Sequence, residues 1–227
     1  MRYKPVVLML PVAWAIKSSY QNEISMSFLS KLYLKATGWN IDPNPPKELQ
    51  GQCVIICAPH TSNWDFPITL AIMNVLKVKA RYAIKKEIMG FPFGPILKAL
   101  GGLSIDRRQK KEGAKKQSTV QAIAELFQKD QPLCLMIAAE GTRSLRKEWK
   151  TGFYYIALQA NVPICLGYLD YEKKMGGFGK VVYPSGNLEK DMAEIMSFFI
   201  DKKGKHPQKF SIDQRFYPQL SGSSEQA

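Results

Sequence analysis

Apolar and polar positions fall into blocks along this chain, and the blocks differ in period. From Glu23 to Thr37, in "EISMSFLSKLYLKAT", Ile24, Phe28, Leu32 and Ala36 recur at helical spacing. Met26, Leu29 and Leu34 widen that face, Lys31 and Lys35 punctuate it, and Gly38 supplies a stop. "DPNPPKE" at Asp42–Glu48 reads as a loop. Beyond it, short apolar runs alternate with helical patterns. Strands are expected at Cys53–Ala58, from Ala80, from Gly102, from Leu133, from Pro163 and from Lys180. Helices are expected from Phe66, from Gly94, over Ser118–Gln128, from Thr151 and over Leu188–Asp201. Several of the strands are apolar throughout, as strands are when both faces of a parallel sheet are covered. The pattern predicts a single α/β domain: a mostly parallel central sheet flanked by helices, with an N-terminal amphipathic helical segment. Residues 1–45 form that segment, 46–202 the α/β domain and 203–227 a basic, then polar tail.

Composition narrows the partners rather than the fold. At 227 residues, 45% hydrophobic and 22% charged, the chain has enough apolar side chains for one good-sized core. The net charge of +13, from 32 Lys and Arg against 19 Asp and Glu, favours an anionic partner. Nucleic acid, an acidic membrane face and phosphorylated substrates all qualify. Cys53, Cys57, Cys134 and Cys165 each lie in or beside an apolar run, without zinc-ligand spacing, and read as buried free thiols with no metal site. Val6–Ile16, "VVLMLPVAWAI", follows Arg2 and Lys4 but is shorter than the ~20 apolar residues that span a bilayer, and Pro11 interrupts it. It reads as a buried or interfacial segment, with an uncleaved signal anchor as the alternative. The helix at Glu23–Thr37 has two readings as well: packed on the body, or lying on a membrane surface.

Candidate chemistry collects after strands, where parallel sheets place their ligands. In "APHTSNWDFPI", His60 follows an apolar strand and Asp65 comes five residues later, before Phe66-Pro67. Asp65 reads as a helix N-cap, and equally as a carboxylate that holds one ring nitrogen of His60 and leaves the other as a base. "GGLSIDRR" ends a second strand with Arg107. "AAEGTRS" ends a third: Gly141 permits a close turn, Thr142 and Ser144 offer hydroxyls, Arg143 a phosphate-sized fork, and Glu140 a carboxylate to orient it. Lys150 opens a further helix, whose N-terminus favours anions. Each motif alone also reads as an ordinary turn or ion pair. Together they bring one base and two phosphate-sized cations to one edge.

The order H-x4-D at His60 and Asp65, "GGLSIDR", "EGTRS" and "NVPI" resembles the glycerolipid acyltransferase superfamily, which includes the 1-acyl-sn-glycerol-3-phosphate acyltransferases. The likeness covers roughly residues 39–183. It implies that His60 is the catalytic base and Asp65 its orienting partner. Arg107, Glu140, Gly141, Thr142 and Arg143 are then associated with the acceptor phosphate, with Lys86, Ser144 and Lys150 as possible additions. The segment Val162–Ile164 is linked to the acyl-donor side or to support of the site. The resemblance further implies an α/β body with an N-terminal helical pair in one membrane leaflet. The expected activity is O-acyl transfer from acyl-CoA or acyl-carrier protein to a lysophospholipid hydroxyl, with no bound cofactor. The expected location is the cytoplasmic face of a membrane, peripheral or monotopic, with an anionic leaflet as partner. One departure is visible: the family usually has Phe-Pro before the glutamate of the third motif, and this chain has Ala138-Ala139. No G-x-S-x-G is present, so transfer without an acyl-enzyme is expected. The basic clusters "KKEGAKK" from Lys110 and "KKGKHPQK" from Lys202 suit an anionic leaflet, an acidic carrier or coenzyme A phosphates. Acyl transfer to a different lipid acceptor is an alternative, and three rivals remain, one of them a degenerate, non-catalytic lipid binder, against which the intact His60 and Asp65 speak. An esterase or thioesterase would use the same base with water. A nucleic-acid-binding protein is suggested by charge alone and lacks a recognised motif.

Overall fold

A seven-stranded sheet carries the molecule, in the order β1-β7-β6-β2-β5-β3-β4. The structure, a computed structural model of the chain, describes residues 26–85, 90, 93–99, 101–105, 118–128 and 131–217. The strands are β1 (Asn40–Ile41), β2 (Gln52–Ala58), β3 (Ala80–Lys85), β4 (Gly102–Ile105), β5 (Leu133–Ile137), β6 (Ile164–Asp170) and β7 (Met175–Val182). The helices are α1 (26–36), α2 (Asp65–Leu76), α3 (Phe93–Ala99), α4 (Thr119–Ala124), α5 (Gly152–Ala160) and α6 (Leu188–Phe199). Strands β6, β2, β5, β3 and β4 are mutually parallel, and β7 returns antiparallel to β6. The carboxyl ends of five strands therefore share one edge.

Strand β2 shows why a parallel interior strand reads as an unbroken apolar run. Val54, Ile56 and Ala58 point into a core shared with Phe153, Tyr154 and Ile156 of α5 and Met192, Ile195 and Phe199 of α6. Cys53 and Ile55 point to the other face, where Met73 of α2 and Tyr82 pack. Both faces are covered, so neither carries a polar alternation. Helix α5 buries Phe153, Tyr154, Ile156 and Ala157, one stripe at helical spacing. All four cysteines are free.

The differences from the sequence expectations have physical causes. Strand β7 begins at Met175, five residues before the expected Lys180, because Gly176, Gly177 and Gly179 hide its β character. Those glycines are needed for space: a Cβ at Gly176 would come within 2.5 Å of the Ile72 side chain, and one at Gly177 within 2.5 Å of Asp42. Strand β1 is two residues long, too short to leave a pattern. The helix expected over Ser118–Gln128 changes at Glu125 to a tighter 3-10 turn. Residues 203–217, expected in a basic, then polar tail, pack on the body, with Ile212 and Asp213 buried. Helix α1 turns Ser30 and Leu34 inward, where the Ser30 hydroxyl accepts from the Asn74 amide at 3.3 Å. Phe28, Leu29 and Leu32 face outward. The apolar run Val6–Ile16 and the cluster from Lys110 lie outside the described residues. No helix among the described residues is long and apolar enough to cross a membrane.

Candidate functional site

Strand β2 ends at Ala58, and the chain then turns through Pro59–Trp64 before α2 begins at Asp65. The cap position belongs to Trp64, which makes no side-chain cap bond. Asp65 is thus the first helical residue rather than the N-cap expected from the sequence, and its carboxylate reaches back over the turn. Oδ2 accepts from the backbone N–H of Thr61 and of Ser62, each at 2.9 Å, and lies 3.1 Å from His60 Nδ1. Oδ1 accepts from the Tyr171 hydroxyl at 2.7 Å. Asp65 is 4% exposed. Burial alone would raise its pKa, but the hydrogen bonds from His60, the Ser62 N–H and Tyr171 outweigh it and hold the carboxyl below its usual range. An ionised Asp65 assigns the proton of neutral His60 to Nδ1. Nε2 then carries the lone pair, on a side chain 30% exposed.

The neighbouring strand supplies a second carboxyl. Strand β5 lies beside β2 in parallel register, so Glu140, just past β5, arrives beside His60. Its Oε1 accepts from the His60 backbone N–H at 2.7 Å, and its Oε2 is buried with no hydrogen-bond partner among the described residues. Burial pushes the Glu140 carboxyl up to about 8, and the Asp65 charge adds to this against the His60 N–H bond. Glu140 therefore sits behind the loop, holding the main chain of His60, rather than on its surface. The other neighbour of β2 is β6, and the residue after β6 is Tyr171. Three adjacent strands thus place Tyr171, His60 and Glu140 side by side on one edge.

The loop after Glu140 turns at Gly141, whose φ of +69° lies in the left-handed region. A Cβ there would come within 2.9 Å of Lys150 Cε and Nζ, so the Lys150 side chain lies across the glycine. The turn forms without the family's proline: the Gly141 N–H bonds the Ala138 carbonyl at 3.1 Å and the Lys150 N–H the Ala139 carbonyl at 3.0 Å. Thr142 Oγ1 accepts from the Ser144 N–H at 3.3 Å, and Ser144 is exposed. Arg143 is exposed and donates through Nη1 to Asn63 Oδ1, at the tip of the His60–Asp65 loop. The structure thereby brings together His60, Asp65, Glu140, Gly141, Arg143 and Lys150. Arg107 and Lys86, expected after β4 and β3, lie outside the described residues.

Two contributors escaped the sequence reading. Tyr171 is 106 positions from Asp65, and a tyrosine after a strand carries no motif. The segment after α6 braces both loops. His206 N–H donates to Thr61 Oγ1 at 3.2 Å, the Tyr171 N–H bonds the Lys203 carbonyl at 2.8 Å, and Lys205 Nζ lies 5.3 Å from the centre of the exposed Trp64 ring. Further on, buried Asp213 accepts from the Trp149 N–H at 2.8 Å and pairs with Arg215 at 2.6 Å. The only signal in the sequence for this role was the run of lysines, which reads equally as a solvated tail.

The geometry agrees with two comparisons. The description of the acyltransferase family matches residues 40–165, more than half of the chain. The fold resembles the crystal structure of the 1-acyl-sn-glycerophosphate (LPA) acyltransferase PlsC from Thermotoga maritima, with a TM-score of 0.50 and 15% sequence identity. That match covers 78% of this chain and 76% of the other. The matched residues contain His60, Asp65 and the Glu140–Lys150 loop, and this chain belongs to the acyltransferase family.

Proposed function

We propose that the protein transfers a fatty acyl group from an acyl thioester, acyl-CoA or acyl-carrier protein, to a hydroxyl of a lysophospholipid such as 1-acyl-sn-glycerol-3-phosphate. The observation that carries this reading is the His60–Asp65 contact at 3.1 Å, on an imidazole that is partly exposed. His60 Nε2 takes the proton of the acceptor hydroxyl as that oxygen attacks the thioester carbonyl carbon. The tetrahedral intermediate then collapses, the C–S bond breaks, and the thiolate leaves as the new ester forms. Asp65 holds the imidazole and stabilises its protonated form. No serine nucleophile of the G-x-S-x-G type is available, so the acyl group passes directly from sulfur to oxygen.

Cations around the loop give the acceptor its orientation. Arg143, held at Asn63, and Lys150, lying across Gly141, are the cations assigned to its phosphate in this reading. Arg107 and Lys86 are proposed for the same anion on the strength of the resemblance. Lys205, beside Trp64, extends the basic rim from the segment after α6. The acceptor is a membrane lipid in this reading, and the outward Phe28, Leu29 and Leu32 of α1, with Lys31 and Lys35, supply a surface that enters the cytoplasmic face of an anionic leaflet.

The test is a mass-spectrometric assay with a panel of lysophospholipids and other hydroxylated lipids, using acyl-CoA and acyl-carrier protein in parallel. New ester, formed in step with free thiol, is the expected result. Thiol release without any ester would assign the site to hydrolysis instead.

A further inference from the structure

Asp65 is held from two sides, and the second side lies beyond the H-x4-D loop. Its Oδ2 takes the His60 ring and two backbone N–H groups, all from the loop itself. Its Oδ1 takes the Tyr171 hydroxyl, at 2.7 Å, and no other donor among the described residues. Tyr171 is itself fixed at three points. Its N–H bonds the Lys203 carbonyl at 2.8 Å. Its ring stands edge-on to buried Trp39, with centroids 4.9 Å apart at 90°. Lys174 Nζ lies 5.8 Å from the centre of the same ring. A hydroxyl so constrained is aimed, and the group it is aimed at is the carboxylate that orients the base. Tyr171 lies outside the residues matched by the family description.

We infer that Tyr171 is a positioning residue for the His60–Asp65 pair, its hydroxyl fixing the second oxygen of Asp65 and so setting the orientation and proton affinity of the imidazole. This rests on the reading of His60 as the base. A carboxylate with only one oxygen held can rotate about its Cβ–Cγ bond and lose its line to Nδ1. A donor on the other oxygen blocks that rotation and draws off part of the negative charge. Burial, and then the bond to Asp65, raise the Tyr171 pKa, so the hydroxyl stays protonated and donates. Among the described residues, the other titratable groups that face Asp65 are Cys57 and Glu140, and those that face Tyr171 are Tyr33 and Lys174.

The chain's second histidine, His206, can be removed to leave one imidazole for spectroscopy. In a His206→Ala background, Tyr171→Phe keeps the ring on Trp39 and deletes only the hydroxyl. The full charge of Asp65 then falls on the imidazolium, so the protonation-linked change of the imidazole NMR signal is expected at higher pH than in the parent. The acid limb of kcat/KM is expected to move up with it. Turnover should fall about tenfold, the scale of one hydrogen bond to a charged group, with both KM values within twofold. An imidazole titration and acid limb that stay where they were would overturn the inference, whatever the rate does. Should Tyr171→Phe fail to fold, 3-fluorotyrosine at position 171 is read instead. As a stronger donor it should move that change of the imidazole signal to lower pH, and no movement would again overturn the inference. The NMR readout is independent of catalysis. If His60→Ala left transfer intact, the base reading would fail while the titration still judged the link from Tyr171 to His60.

Discussion

Asp65 accepts four hydrogen bonds at one buried carboxylate, and that count explains why the residue type matters. An amide can accept at one atom only, so Asp65→Asn turns an NH2 group either on the donors of the loop or on Tyr171. Transfer by this variant is expected to fall about 10²–10⁴-fold, the usual worth of an aligned general base, measured as initial ester formation. Glu140 makes the opposite case, a carboxyl that burial keeps protonated. Its pKa of about 8 in the fold lies above its ordinary 4.5, so the folded state binds the extra proton and the group opposes folding as pH rises between those values. Glu140→Gln keeps an acceptor for the His60 N–H and removes the charge. The stability of the variant over the wild type should therefore grow between pH 4.5 and 8, by at most about 1.4 kcal/mol per pH unit, and level off above. Denaturant titrations across that range check it, and a difference independent of pH would count against a buried, raised Glu140. Of these residues, His60, Asp65 and Glu140 were legible because each follows an apolar strand in a short polar motif. What they touch was not. The bond from Glu140 to the His60 main chain depends on β5 lying beside β2, and the bond from Tyr171 on β6 lying on the other side, and neither adjacency is written in local sequence.

Elements were easier to read than their packing. The strands β2, β5 and β6 and the helices α2, α5 and α6 are plain in the hydrophobic pattern because burial on both sheet faces demands apolar runs. Strand β7 was legible only at its end, from Lys180, since the glycines of its first half answer to close neighbours and not to strand propensity. The same holds for the segment 203–217, whose lysines suggested a tail while Gly204, Ile212 and Asp213 tie it down. Gly204 rests on the His60 loop: a Cβ there would come within 2.8 Å of Thr61 Oγ1 and 3.0 Å of Pro59 Cβ. Gly204→Ala is expected to cost about 1–3 kcal/mol through overpacking and to reduce transfer by displacing the loop. Asp213→Ala would strand the buried Trp149 N–H and release Arg215, at about 1–3 kcal/mol, and loosen the loop that carries Arg143. Thermal melts and transfer assays on the two variants check both. If removal of residues 203–217 left stability and activity unchanged, the bracing role would be wrong.

At the scale of the whole molecule, one edge of the sheet gathers the candidate site and helix α1 turns an apolar face outward. The α/β class, the edge and the family were all readable from motif order, because a parallel sheet places the end of every βα unit on the same side. The direction in which α1 faces was not readable, since its apolar residues cover more of the helix than one neighbour can bury. Phe28 is 66% exposed, with Leu29 and Leu32 at 55% each, beside Lys31 and Lys35. Leu29→Glu with Leu32→Glu is expected to weaken flotation with anionic liposomes about tenfold or more, while the wild type floats less as salt rises. Flotation indifferent to lipid charge, salt and both substitutions would refute the membrane role. Direct acyl transfer with His60 as base meets its sharpest test in His60→Ala. Ester product and free thiol are measured together by mass spectrometry, at matched protein concentration, with circular dichroism to show an intact fold. With His60 as base, the ester should fall at least about 10²-fold, with no loss of the folded state. Ester formation close to that of the wild type would contradict it.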